Sequence, residues 1–165
     1  MLVLGVDPGS LRTGYGVIDT DGRRHRLVET GALAPGKQLA LAEKLSHIHS
    51  GVSALIERLH PDALAVEDVF HAANTRTALV LGHVRGVVLL AGAERGVPVH
   101  EYPPATVKQQ VTGFGRAEKS QVAFMVTRML ELDAEAAPGD ATDALAVALC
   151  FACLGASAAA LRKAP

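Results

Sequence analysis

The spacing of apolar residues changes character along the chain, and each change marks an element. Leu2 to Val6 is a short apolar run that meets a carboxylate at Asp7, and Gly14 to Asp19 is a second such run. Pro8-Gly9 lies between them, so the opening segment predicts a buried strand, a hairpin and an antiparallel partner. The glycines at 14 and 16 leave that partner bare beside Asp7, as close approach of backbone to a ligand requires. After a turn at Asp21-Gly22, the stretch RRHRLVETGAL predicts a third strand. Between Lys37 and Leu59 the period lengthens: Leu41, Leu45, Ile48, Val52, Leu55 and Leu59 recur every three or four positions, the stripe of an amphipathic helix.

Pro61-Asp62 breaks this helix, and ALAV is a continuous apolar run ending at Glu67 and Asp68, which predicts a buried parallel strand with acids at its carboxyl end. A helix follows from about Thr75 to Arg95, apolar most of the way round, with Gly82 and Gly86 four apart. Its faces need cover, either wholly from this chain or partly from a second subunit. Leu81, Gly82, Arg85, Gly86 and Leu89 are the candidate positions for such a seam. Val97 to Tyr102 predicts the last strand, Pro103-Pro104 starts a helix, and Gly113-Phe114-Gly115 is a joint before a helix from Glu118 to Leu132. The final helix is expected from about Asp140 to Leu154, with a flexible tail over 155–165.

This order predicts one α/β domain over residues 1–154. Its mixed five-stranded sheet opens with three antiparallel strands and continues by parallel crossovers between flanking helices. Right-handed crossovers place the first strand beside the fourth, parallel to it, so Asp7 and Glu67 end on neighbouring strands about 4.8 Å apart.

Composition narrows the class. The chain has 165 residues, 49% of them apolar and 20% charged, with a net charge of −1. No stretch is long enough to cross a bilayer and no basic leader precedes the first apolar run, so a cytoplasmic protein is expected. Cys150 and Cys153 form C-x-x-C inside an apolar helical run, the setting of a core pair rather than a redox or zinc motif. Between Phe70 and Leu130 there are seven Lys or Arg against three Asp or Glu, a local basic segment in a nearly neutral chain.

The candidate chemistry lies in four acids. Asp140 and Asp143 are three apart and share one face of the last helix's first turn, near enough in pattern to act with Asp7 and Glu67. Helix capping is the alternative account of the last pair, with Asp140 as N-cap and Asp143 suiting the helix dipole. Gathered carboxylates repel unless cations join them, and an oxygen-only donor set selects Mg²⁺ or Mn²⁺. Two such ions about 3.5–4 Å apart are the usual apparatus for displacement at a phosphodiester. Arg76, Lys108, Arg116 and Lys119 suit phosphates approaching that edge, and Phe70 could stack on an unpaired base.

The segments GVDPGSLRTGYGVID, AVEDVF, NTRTALVLGHVRGV, VKQQVTGFGRAEKSQV and DATDALAVAL together resemble the RuvC family of bacterial Holliday-junction resolvases, over nearly the whole chain. The resemblance implies an RNase H-like fold and a homodimer that works with the branch-migration proteins RuvA and RuvB. It also implies Mg²⁺-dependent nicks placed symmetrically in two strands of like polarity at a four-way DNA junction, leaving 5′-phosphate and 3′-hydroxyl ends. It assigns metal ligation to Asp7, Glu67, Asp140 and Asp143, base stacking to Phe70, and functional lysines to Lys108 and Lys119. The first motif alone is also similar to the phosphate loop of actin-like ATPases. A non-catalytic junction-binding module and an RNase H-like nuclease acting on structured RNA remain alternatives.

Overall fold

A computed structural model of the chain describes residues 1–68, 74–132 and 141–161, with side chains up to residue 155. Strands β1 (Leu2–Asp7), β2 (Thr13–Thr20) and β3 (His25–Leu33) form the antiparallel opening, and helix α1 (Leu41–Leu59) follows. Then come β4 (Ala63–Glu67), α2 (Thr75–Glu94), β5 (Val99–Tyr102), α3 (Pro104–Thr112), α4 (Lys119–Met129) and α5 (Thr142–Leu161). The sheet order is β3-β2-β1-β4-β5, with β1 parallel to β4 and β4 parallel to β5. The expected five-stranded mixed sheet is therefore the one observed.

Alternation along the strands divides the core into two layers. Leu4 and Val6 of β1 and Leu64 and Val66 of β4 point to one face, where Ile48, Val52, Leu55 and Ile56 of α1 meet Val84, Val88 and Ala91 of α2. Val3 of β1 and Ala65 of β4 point to the other face, which α5 covers directly and α3 and α4 close from outside. Because successive side chains on a strand alternate, Asp7 shares the face of Val3, and Glu67 shares the face of Ala65. Both acids therefore belong to the side on which α5 lies.

Glycine decides how closely α5 can lie. A Cβ added at Gly5 would fall 2.2 Å from the Ala144 carbonyl oxygen, and one at Gly16 would fall 2.6 Å from Leu145 Cδ2. The bareness of Gly16 thus admits a helix rather than a ligand, which corrects the expectation made for it. Polar detail fixes the hairpin: the Thr13 hydroxyl donates to the Gly9 carbonyl at 2.9 Å across the Pro8–Arg12 connection.

Three further expectations change. The last helix continues to Leu161 instead of ending at Leu154, so part of the supposed tail is helical. The helix that ends at Met129 is shorter than expected, and the chain turns through Glu131 at φ 52. Finally, α2 does have the length and mean hydropathy (1.4) of a membrane span, by composition alone. Its place in this fold is against α1, β4 and β5. Cys150 is buried inside α5 and its thiol is pushed up to about 12 by that burial, as a core residue rather than a reactive one.

Candidate active site at the carboxyl edge of the sheet

Asp7 and Glu67 end adjacent parallel strands, and the register that pairs Val6 with Val66 brings their carboxyl groups together. Their side chains share a hydrogen bond. Two carboxyl groups can do this only if a proton stays between them, and burial supplies the reason for keeping it. Desolvation raises both groups, and the charge of Asp7 adds to it at Glu67, which is pushed up to about 8. Lys108 acts in the opposite direction on Glu67. Asp143 raises both acids by repulsion, which places it within electrostatic reach of the pair.

Asp143 is carried by the first turn of α5, the helix seated on Gly5 and Gly16. Its Oδ2 accepts from Lys119 Nζ at 2.6 Å, a contact between the start of α4 and the start of α5. Lys108 and Lys119 thus both face the acids. A cavity of about 730 Å³ opens beside the pair, lined by Asp7, Pro8, Glu67, Asp68, Leu81 and Lys108 among others. A smaller recess joins Glu67, Lys108, Lys119 and Asp143.

The other expected residues divide. Arg76 is exposed in the first turn of α2 and Arg116 is exposed on the joint between α3 and α4, and neither lines the cavity. Phe70 and Asp140 lie outside the described residues. Of the seam positions, Gly82 and Gly86 are exposed, with nothing within 4 Å of an added Cβ. Leu81 instead lines the cavity, and Arg85 is engaged within the chain, with Asp68 and Glu101. The open apolar face of α2 comprises Leu79 and Leu90, beside those two glycines. Arg85 was missed as part of the acidic edge. The alternation that places Asp68 and Glu101 on the α2 side of the sheet was the available signal.

These residues suit a hard divalent cation. The donors are carboxylate oxygens, with no His or Cys among them, which is the donor set that hard divalent ions take. Among the described residues, however, no three acidic, His or Cys side chains are already drawn into one ligating cluster. Asp7 and Glu67 stay together through their shared proton, and the Asp143 carboxylate is paired with Lys119.

Fold and site together define a nuclease-type domain of the RNase H-like class, with its acids at the carboxyl edge of β1 and β4. The family described as crossover junction endodeoxyribonuclease RuvC matches residues 3–151. The relative named crossover junction endodeoxyribonuclease RuvC from Desulforamulus reducens is 47% identical over 152 residues, 92% of this chain and 93% of its own length. The Thermus thermophilus RuvC structure superposes with a TM-score of 0.87 at 36% identity, covering 96% of this chain and 97% of that one. T. thermophilus RuvC in complex with Holliday junction substrate gives 0.86 at 37% identity, with 94% and 97% covered. The chain belongs to the RuvC family, a family of metal-dependent nucleases.

Proposed function

We propose that this chain is a Holliday-junction resolvase that acts as a homodimer, nicking two strands of like polarity symmetrically at a four-way DNA junction. The products are ligatable duplexes with 5′-phosphate and 3′-hydroxyl ends, and the setting is recombination and repair in the cytoplasm, alongside RuvA and RuvB. Residues 1–154 act as one nuclease domain. The observation that carries this reading is the pairing of Asp7 with Glu67 on adjacent strand ends, with Asp143 brought into their field by α5.

Asp7, Glu67 and Asp143, together with Asp140, are the proposed ligands of Mg²⁺, with Mn²⁺ able to substitute. When bound, the ions supply a lowered water pKa and stabilisation of the departing oxygen. The protein does the rest. Asp7 and Glu67 would hold the ions as carboxylates, which requires loss of the proton that burial keeps on the pair. Lys119 holds the Asp143 carboxylate at 2.6 Å and keeps it near the pair, and Lys108 offers positive charge to a phosphodiester seated in the cavity. Arg76 and Arg116, both exposed, contact the junction arms through phosphates, and Phe70 stacks on an unpaired base. A two-fold dimer through the open face of α2 presents two such sites to the approximate two-fold symmetry of a junction, which is why the cuts come in pairs.

A synthetic four-way junction labelled strand by strand, incubated with and without Mg²⁺, tests the proposal. Paired symmetric nicks that need the cation are expected. Asp7→Asn should retain junction binding and lose cutting. Random cleavage of linear duplex, or cutting by Asp7→Asn at the parental rate, would refute the assignment.

A further inference from the structure

Asp68 is a fifth acid at this edge, and it is held differently from the others. It follows Glu67 directly and lines the same cavity as Asp7 and Glu67. The strand alternation that sends Glu67 toward α5 sends Asp68 toward α2, on the side of Val66. Its backbone N–H donates to the Tyr102 carbonyl at 2.8 Å, so the main chain is pinned while the side chain is left to be placed. Arg85 of α2 places it: Arg85 Nε is 3.3 Å from Asp68 Oδ1. The same guanidinium donates through Nη2 to Glu101 Oε2 on β5. Glu101 is also on the α2 side, in register with Val66. Arg85 Nε is buried and makes no aligned hydrogen bond, so the grip on Asp68 is by charge, with Glu101 as the fixed anchor.

We propose that Arg85 is a positioning residue that holds the Asp68 carboxylate on the α2 side of the sheet, out of the Asp7–Glu67 site. The inference rests on the nuclease reading of that site. Without Arg85, rotation about the Asp68 side chain swings its carboxylate across the shared cavity toward Asp7 and Glu67. There it repels an incoming phosphodiester and draws a cation away from the other carboxylates. Arg85 also adjoins the open face of α2, since Gly82 and Gly86 are three before and one after it.

The test is a charge-rescue series on the full chain: Arg85→Gln, Asp68→Asn, the double variant R85Q/D68N, and R85Q/E131Q. The last restores net charge at Glu131, just beyond α4 and on the opposite face of the sheet. Single-turnover nicking of a four-way junction at limiting Mg²⁺ should fall about tenfold or more in R85Q and return to within about threefold of the parent in R85Q/D68N. D68N alone supplies the reference rate against which the double variant is read, and R85Q/E131Q should stay slow. Two measurements without catalysis accompany it: junction affinity in chelator, and the Mg²⁺ concentration that half-saturates the rise in melting temperature. R85Q should weaken the first and shift the second, and D68N should reverse both changes. If R85Q/D68N is as slow as R85Q, or R85Q cuts like the parent, the proposal is wrong. Should R85Q melt too low to assay, Glu101→Gln loosens the anchor instead. It should be slowed and relieved by D68N, and parental cutting by E101Q counts against Arg85. A parent chain that does not nick the junction refutes the resolvase reading alone, and the Mg²⁺ melting titration then still decides the role of Arg85.

Discussion

Replacing Gly5 by Ala puts the link between core packing and catalysis to its sharpest test. Gly5 is in the middle of β1, two residues before Asp7, and α5 crosses it at close range. The added Cβ would stand 2.2 Å from the Ala144 carbonyl oxygen, 2.8 Å from the Ala148 nitrogen and 2.9 Å from Ala148 Cβ. Two of those three atoms are backbone, so no rotamer change removes the clash. The helix must recede by about 1 Å to restore ordinary contact distances. Overpacking of this kind costs about 1–3 kcal/mol, which lowers the melting temperature by roughly 2–12 °C in a chain of this size. Asp143 directly precedes Ala144, so the same retreat carries it away from Asp7 and Glu67. A misplacement of about 1 Å at a reacting centre lowers rates on the order of 10²-fold. Single-turnover nicking of a saturating four-way junction in Mg²⁺, measured beside a thermal melt, reads both effects. Gly36→Ala is the control, because its Cβ would meet nothing nearer than Leu39 Cγ at 3.5 Å. A Gly5→Ala protein that melts and cuts like the parent would show that α5 does not set the position of Asp143.

Other outcomes follow from the same geometry. In chelator, stability should fall as pH rises from about 4.5 to about 8: the unfolded Glu67 loses its proton near 4.5, whereas the folded one keeps it to about 8. Melting at pH 5 and pH 8 checks this, and Glu67→Gln or added Mg²⁺ should flatten the dependence. Gly86→Arg, placed where an added Cβ meets nothing, should preserve the melting temperature but sediment as a monomer and abolish paired cutting. Asn74→Ala removes the carboxamide that accepts from the Thr77 N–H at 2.9 Å, and should cost about 1 kcal/mol in denaturant unfolding with little change in junction affinity. Lys119→Ala releases Asp143 and should slow nicking more than it weakens junction binding, as filter binding against nicking rates would show.

What the sequence determined by itself is whatever repeats locally. The short continuous apolar runs and the acids that end them fixed β1 and β4, and crossover handedness left few sheet orders open. The three-to-four spacing from Leu41 to Leu59 fixed α1 for the same kind of reason. Asp7 and Glu67 were therefore legible as neighbours before any coordinates. Only the tertiary structure decided which face each group meets and how near the helices stand. That Gly5 and Gly16 receive α5 depends on atoms some 130 residues away in the chain, which no local pattern encodes. The same holds for the turn of Asp143 to Lys119 and the capture of Asp68 by Arg85, since an ion pair depends on through-space distance and shared burial, not on spacing along the sequence.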